Sequence, residues 1–248
     1  MQLRRAIGTL GRNDARLIGR DSFLIGLFFY IVGISTFVRL ALPWLSDQVA
    51  ANPDIAINVP EFYPLLVSFF AIYIGALVAG IMIGFVVLDE RDDHTLMALL
   101  VTPLPVNAYL LYRVLIPAAI GLVLSLVQFV VINQALIPWW QIILIAMGSS
   151  LFAAVMSLFF ATFAENKVQG FALTKIIGTA GLLIFVAWFL PMPLELLCGI
   201  FPPYWFVKAY WMAHAGESLW WLPLVISIVY QLALIALLMR RFRRVAYT

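Results

Sequence analysis

Six long apolar segments occupy most of this 248-residue chain. Each segment is about as long as the ~20 residues that an α-helix needs to cross a lipid bilayer. The segments are Ser22–Trp44, Pro64–Leu88, Tyr109–Asn133, Trp140–Phe163, Phe171–Leu190 and Leu219–Met239. They are continuous, whereas a membrane β-barrel alternates apolar and polar residues in segments of about 10. The sequence therefore predicts an all-α integral membrane protein with six transmembrane helices in a single domain, residues 1–248.

The composition excludes a water-soluble fold. Hydrophobic residues make up 65% of the chain and charged residues 11%, and the mean hydropathy is +1.05. Soluble domains are about half apolar and about a quarter charged. A cleavable signal peptide is not expected, because the first apolar segment begins only after Arg20 and is long enough to span. The single cysteine, Cys198, cannot form a disulfide within the chain.

The basic residues predict the orientation in the membrane. Loops on the cytoplasmic side carry an excess of Lys and Arg, and placing both termini there leaves only Arg39 and Lys208 at the outer side. We therefore expect a multi-pass protein of the cell membrane. Arg113 and Lys175 lie just inside the inner ends of their spans, where we expect them to snorkel to the interface. Ion transport through these side chains is the less favoured alternative.

Two further inner segments carry charge. Residues 1–21 interleave five arginines with apolar residues, a pattern typical of an amphipathic helix in the inner interface. Ordinary flanking charge is the alternative. In the turn between the fourth and fifth spans, we expect Glu165 and Lys167 to pair with each other or with a cytoplasmic partner.

The polar connection between the second and third spans, residues 89–105, is the most informative one. Acidic residues at its start favour the N-terminus of a helix, with Asp92 or Asp93 as the cap. The leucines that follow share one helical face: Leu96, Leu99 and Leu100. Two prolines then end the helix. The apolar face must pack either on the spans or on a separate protein, and its periodicity leaves both possibilities open.

This connection resembles that of type-2 ABC exporter permeases, the membrane subunits of ATP-binding-cassette exporters. Their pattern Glu-Arg-x-x-x-Thr-Leu-x-x-Leu-Leu-x-Thr-Pro-Leu is found here at residues 90–104. The resemblance covers essentially the whole chain, including the entry helix, the six spans and an aromatic, proline-rich stretch at residues 201–209. Residues 92–94 depart from the pattern, because Asp-Asp-His replaces the Glu-Gly or Arg-Gly of many members.

The resemblance implies that residues 89–105 form a coupling helix, which docks on a separate ATPase subunit and transmits its closure. The implied coupling residues are Glu90, Arg91, Thr95, Leu96, Leu99 and Leu100. An inner loop without a partner is the alternative. The chain has no Gly-Lys-Ser/Thr phosphate loop. We therefore expect ATP and Mg²⁺ on the partner subunit, and no catalytic residue, metal site or cofactor in this chain.

Residues 191–218, before the last span, are too aromatic for a simple outer loop. They predict a re-entrant helical hairpin that is broken at Pro202-Pro203. A plain aromatic belt at the interface is the alternative. The resemblance also implies re-entrant helices here, and the predicted external gate consists of Pro202, Pro203, Tyr204 and Trp205.

Small residues at four-residue spacing mark contacts between helices. Two spans carry them: Ala76, Gly80 and Gly84 in the second, and Ser149, Ala153, Ser157 and Ala161 in the fourth. Packing within one chain is the favoured interpretation. The resemblance places the second and fifth spans of two copies around a central cavity. The implied pathway residues are Phe69, Phe70, Tyr73, Ala76, Gly80, Lys175, Gly178 and Thr179.

Aromatic and neutral polar side chains in the spans suit an amphipathic or lipophilic cargo better than a hydrated ion. The resemblance implies half of a dimeric permease, expected to be a homodimer, that works with two ATPase subunits by alternating access. Without a large extracellular domain, the chain resembles the drug-exporting branch, in which fluoroquinolone or multidrug export is common. Lipid or glycan-lipid export is the near alternative. An ATP-independent transporter or channel and a membrane scaffold are more remote, since no Asp or Glu lies within a span.

Overall fold

A computed structural model describes residues 11, 14, 16–52, 54, 56–92 and 106–246. Six of its helices are long and apolar enough to cross a membrane, which confirms the predicted fold class. The described residues contain no β-strand. The α-helices are Ser22–Ala50, Tyr63–Val67, Gly75–Asp92, Val106–Ile132, Trp139–Phe163, Lys167–Ala180, Leu183–Phe189, Pro203–His214 and Trp221–Ala246. Two short 3₁₀-helices, Val59–Phe62 and Leu194–Ile200, and a π-helix, Ser68–Ile74, lie between them. The described residues of the entry segment, 11, 14 and 16–20, are also helical.

The first span is longer than its apolar segment suggests. Asp21 caps it by accepting hydrogen bonds from the backbone N–H groups of Phe23 and Leu24, at 2.8 and 3.3 Å. The helix then continues through Pro43 to Ala50. A proline inside a helix removes one backbone hydrogen bond, and membrane helices tolerate this loss. The proline therefore does not end the span.

The second span is the central helix of the bundle. Its 34 residues, Val59–Asp92, are the most buried of the six spans. Residues 89–92 form its last turn, so the expectation that Asp92 caps the start of a separate helix is wrong. The C-terminus of a helix disfavours negative charge, so acidic residues there need positively charged partners. These partners belong to the functional site described below.

The small residues of the second and fourth spans mark helix contacts within the chain, as predicted, and these two spans pack against each other. A β-carbon built on Gly80 would lie 2.5 Å from Met156 Cβ and 2.8 Å from the carbonyl oxygen of Ala153. The side chain of Ala76 is also completely buried. Close packing between the helices leaves no space beside Ala76 and Gly80 in this conformation, and their assignment to a transport pathway stays a prediction.

The segment before the last span folds into two short helices, with Phe201 and Pro202 between them. Lys208 forms an ion pair with Glu195 across this break, with 2.7 Å between Nζ and Oε1. Trp211 donates a hydrogen bond from its indole N–H to the Ser68 hydroxyl at 2.9 Å, which joins the segment to the second span. The break occurs where the two prolines predicted it. Insertion of the segment into the bilayer stays a prediction.

Candidate functional site

Charged side chains gather where the second, fourth and sixth spans end and the other three begin, and we call this the charged end. Its most buried charge is Arg113, whose relative exposure is 2%. One guanidinium nitrogen lies 2.9 Å from Asp14 Oδ2, and another pairs with Glu90. The expectation that Arg113 snorkels to the interface is therefore wrong. Two carboxylates supply its counter-charge inside the bundle, so the guanidinium need not reach water.

Two tyrosines complete this arrangement, which we call the Arg113 cluster (Asp14, Glu90, Tyr109, Tyr112 and Arg113). Tyr109 donates a hydrogen bond to Glu90 at 2.9 Å, and Tyr112 donates one to Asp14 at 2.7 Å. The guanidinium also lies 5.2 and 5.4 Å from the centroids of the two tyrosine rings, within the range of cation–π attraction. The cluster joins the entry segment, the second span and the third span.

Sequence reasoning missed Asp14 as a functional residue. The sequence did contain one signal, because Asp14 is the only acidic residue among the five arginines that precede Asp21. An isolated acid in a basic segment indicates a specific partner, but its identity depends on the fold. Asp14 and Arg113 are 99 residues apart in sequence.

A second group at the charged end is centred on Lys167. Its Nζ atom lies 2.6 Å from Asp89 and 3.0 Å from Asp21, so it joins the fifth span to the second and the first. The prediction that Lys167 pairs with Glu165 or with a cytoplasmic partner is wrong, because the fold brings Asp89 and Asp21 to Lys167 instead. Glu165 instead accepts a hydrogen bond from the side-chain amide of Gln169 at 3.3 Å.

The Asp21 carboxylate is stabilised by these contacts. Burial alone would raise its pKa, but the Lys167 ammonium and two backbone N–H groups outweigh that effect, and its pKa lies below the usual value. The contribution of Asp21 to stability is therefore present above its unfolded-state pKa. It is lost as the pH falls through the lower folded-state pKa.

Three consecutive residues fix the end of the second span. Asp89 pairs with Lys167 and Glu90 with Arg113, and Arg91 donates a hydrogen bond to the carbonyl oxygen of Ala164 at 3.0 Å. The side chain of Glu90 is 7% exposed and points into the bundle. It therefore anchors the end of the second span within the chain, and its role in coupling to an ATPase subunit stays a prediction. The other implied coupling residues lie outside the described residues: Thr95, Leu96, Leu99 and Leu100.

The π-helix of the second span carries three of the implied pathway residues: Phe69, Phe70 and Tyr73. Gln128 of the third span donates a side-chain hydrogen bond to the carbonyl oxygen of Phe70 at 2.8 Å. Tyr73 donates a hydrogen bond to the carbonyl oxygen of Ile177 at 3.0 Å, which links the second and fifth spans. A π-helix within an α-helix is frequent at functional sites, and hydropathy gave no sign of this one.

Tyr73 meets the fifth span where that span is interrupted. Between its two helices, Gly181 packs directly on the Tyr73 ring, and a β-carbon there would lie 2.5 Å from a ring carbon. Phe69 lies against Phe185 beyond the interruption, with 4.8 Å between the ring centroids. The structure therefore brings these two pathway residues onto the fifth span. The other three on that span lie at its surface: Lys175, Gly178 and Thr179.

Replacing Tyr73 with phenylalanine should lower the free energy of unfolding by about 0.5–1.5 kcal/mol, the usual contribution of one hydrogen bond. The ring stays in place and only the bond to Ile177 is lost. Tyr230→Phe is the matched control, because the Tyr230 hydroxyl also donates to a carbonyl oxygen, that of Ile200 at 2.9 Å, but at an exposed position. Thermal unfolding in detergent should show the larger effect for Tyr73. Equal effects would mean that this link between spans contributes little.

A cavity of about 930 Å³ lies between the fourth, fifth and sixth spans and the break before the last span. Its lining residues are Phe152, Val155, Met156, Phe159, Phe163, Ile177, Phe201, Pro202, Leu234, Leu237, Leu238, Arg240 and Arg241. Sequence reasoning missed it, because the apolar face of the sixth span looks like any face turned to lipid. The consecutive arginines Arg240 and Arg241 were visible only as positive flanking charge.

The predicted gate lies beside this cavity. Pro202 lines it, and Pro203 begins the next helix. Tyr204 is almost completely buried, and Trp205 donates its indole N–H to the carbonyl oxygen of Gly199 at 2.9 Å. The neighbouring Phe201 lies 5.8 Å from Tyr73 between ring centroids. The four gate residues therefore stand together near the Tyr73 link, and gating itself stays a prediction.

Comparison with known proteins identifies the family. The family model described as "Fluoroquinolones export permease protein Rv2686c-like" matches residues 14–239. Two curated relatives, the fluoroquinolones export permease proteins Rv2686c and MT2760 of two Mycobacterium tuberculosis strains, are each 34% identical over 244 residues. The alignments cover 96% of this chain and 94% of each relative. No solved structure matches the chain. This chain therefore belongs to the Rv2686c-like family of fluoroquinolone export permeases.

Proposed function

We propose that this chain is the membrane subunit of an ATP-driven exporter that moves fluoroquinolones, or similar amphipathic drug-like molecules, out of the cell. Two copies form the membrane core, and separately encoded ATPase subunits bind ATP and Mg²⁺. Both termini lie in the cytoplasm, which places the charged end at the inner face of the cell membrane. The names of the relatives support the cargo class, and the concentration of basic residues supports the orientation.

The observation that carries the proposal is the anchoring of Asp89, Glu90 and Arg91. These three residues begin the segment that resembles a coupling helix, residues 89–105, so a force on the rest of that segment acts directly on them. Their partners belong to the third span, the fifth span and the turn before it. A movement of the end of the second span is therefore shared by these elements. It also reaches Tyr73, which lies on the same span and contacts the fifth.

The complex of the chain and its cognate ATPase, reconstituted in inverted lipid vesicles, tests this proposal. We expect ATP-dependent uptake of norfloxacin, a fluorescent fluoroquinolone, and stimulation of ATP hydrolysis by norfloxacin. Replacing Leu96 and Leu99 together with aspartate should abolish both, because the apolar face predicted to dock on the ATPase becomes charged. Membrane insertion should be unchanged.

The matched control replaces the same two leucines with methionine, which keeps the face apolar and close to the original volume. This variant should retain most of the uptake and most of the stimulated hydrolysis. Uptake that survives the aspartate changes would show that residues 96 and 99 do not couple the subunits. Uptake by the wild-type chain without any ATPase would contradict the proposal as a whole and favour an ATP-independent transporter.

A further inference from the structure

The cavity between the fourth, fifth and sixth spans has cationic groups at only one end. Arg240 and Arg241 lie at the charged end and are exposed, and the Arg241 guanidinium is 4.4 Å from the centroid of the Phe163 ring. Within the described part of the chain, no ion pair joins either arginine to a carboxylate. This distinguishes them from Arg113, whose charge is fully matched. The two guanidinium groups are therefore available to an anion that enters the cavity.

The rest of the cavity is apolar and rich in aromatic rings. Phe159 and Phe163 lie 4.8 Å apart between ring centroids, and Phe152 and Phe201 lie 6.4 Å apart. Aromatic side chains pack favourably against other flat rings, stacked with an offset or edge to face. The walls therefore suit an aromatic body better than a flexible polar one.

The dimensions indicate the size of the occupant. On the fourth span the lining runs from Phe152 to Phe163, which is about 16 Å at about 1.5 Å per residue. This is about half of the ~30 Å hydrocarbon core of a bilayer. The volume of about 930 Å³ falls in the range of about 300–1,000 Å³ typical of pockets for drug-sized ligands. The cavity therefore accommodates a drug-sized molecule that lies along the inner half of the membrane.

We infer that this cavity is a binding site, formed within a single copy of the chain, for a drug-sized aromatic carboxylic acid. The aromatic body lies among the phenylalanine rings, and the carboxylate binds Arg240 and Arg241, since guanidinium groups bind carboxylates through paired, charge-assisted hydrogen bonds. The far end of the molecule reaches Phe201 and Pro202, next to the predicted gate. The inference rests on the proposed function for its class of cargo. It adds a site whose lining residues all belong to one copy of the chain.

Binding to the chain alone tests the arginines. The chain, without ATPase, is placed in phosphatidylcholine nanodiscs and titrated with norfloxacin and with its methyl ester, which lacks the carboxylate. We expect the wild type to bind the acid more tightly than the ester. Replacing both Arg240 and Arg241 with glutamine should weaken binding of the acid about tenfold, which corresponds to about 1.4 kcal/mol, and leave binding of the ester unchanged. Arg20→Gln, at an exposed arginine of the charged end that does not line the cavity, should change neither.

A second variant tests the apolar part and does not depend on correct insertion of the arginine variant. Leu238→Trp places a large ring inside the cavity and should weaken binding of both the acid and the ester at least tenfold, or about 1.4 kcal/mol. Leu232→Trp is the matched control, because Leu232 is 50% exposed on the same helix and does not line the cavity. It should leave both affinities unchanged.

Two results would overturn the inference. One is unchanged binding of the acid in both the arginine variant and Leu238→Trp. The other combines two observations: norfloxacin no longer binds in phosphatidylglycerol nanodiscs, and native mass spectrometry detects a bound phospholipid that is absent from Leu238→Trp. Together they would identify a lipid as the occupant of the cavity. The proposed function can fail separately. If the chain binds the drug as predicted here but transports nothing together with its ATPase, the result supports the binding site and refutes the exporter.

Discussion

Replacing Arg113 with alanine should lower the free energy of unfolding by about 3–5 kcal/mol, the usual cost of removing one partner from a buried ion pair. The change leaves Asp14 and Glu90 buried and without the charge that both carboxylates contact. Thermal unfolding in detergent measures the effect. Arg39→Gln is the matched control, since Arg39 is an exposed arginine with one hydrogen bond, to the carbonyl oxygen of Val131 at 3.0 Å. Its replacement should cost less than about 1 kcal/mol.

A triple variant separates unbalanced charge from lost packing. Asp14→Asn and Glu90→Gln, added to Arg113→Met, remove all three charges and keep side chains of similar size. Replacing a buried ion pair by uncharged groups is often neutral, so this variant should recover most of the stability that Arg113→Ala loses. A loss of under about 1 kcal/mol for Arg113→Ala would mean that water reaches the cluster and solvates the carboxylates.

Gly80→Ala should lower the free energy of unfolding by about 1–3 kcal/mol, because it adds a methyl group where two spans are already in contact. The obstacle includes the backbone carbonyl of Ala153, 2.8 Å from the new β-carbon, which cannot rotate away as the end of a side chain could. Gly33→Ala in the first span is the control, since nothing lies within 4 Å of its added β-carbon. Alanine is the better helix former by about 1 kcal/mol. The control should therefore be neutral or slightly stabilising.

Thermal unfolding of the two variants side by side measures this difference, and the yield of protein in the membrane gives an independent readout. If the Gly80→Ala protein is as stable as the Gly33→Ala protein, the second and fourth spans are farther apart than the 2.8 Å between the built β-carbon of residue 80 and the Ala153 carbonyl oxygen implies. The same result would favour the assignment of Gly80 to a transport pathway, because space beside it would then exist.

The parts of this fold that depend on local properties could be predicted from the sequence. A helix that crosses a bilayer needs a long apolar segment, so the number and order of the spans follow from hydropathy. Close approach of helices needs small residues, so the spacing of Ala76, Gly80 and Gly84 predicts that the second span packs closely on another helix, but not which one. The break at Pro202 is also local, because proline restricts both itself and the residue before it.

The parts that depend on distant residues could not be predicted in this way. The position of Arg113 near the end of a span suggested snorkelling, and only the fold brings Asp14 and Glu90 to it. The π-helix at residues 68–74 accepts a hydrogen bond from Gln128, which lies on another span, and no local apolar pattern marks it. The cavity depends on the rotation of the sixth span, and the apolar residues of that span do not distinguish a face that lines a cavity from one that contacts lipid.

The anchoring of Asp89, Glu90 and Arg91 also restricts the kinds of motion open to the second span. Successive residues of an α-helix are rotated by about 100° around its axis, so these three side chains leave the helix in three different directions. Rotation of the helix about its own axis would pull on all three contacts at once. Tilting or sliding of the helix can carry the partner residues along and keep the three contacts intact. A force applied at residues 89–91 is therefore transmitted as a displacement of the whole second span and not as a rotation about its axis.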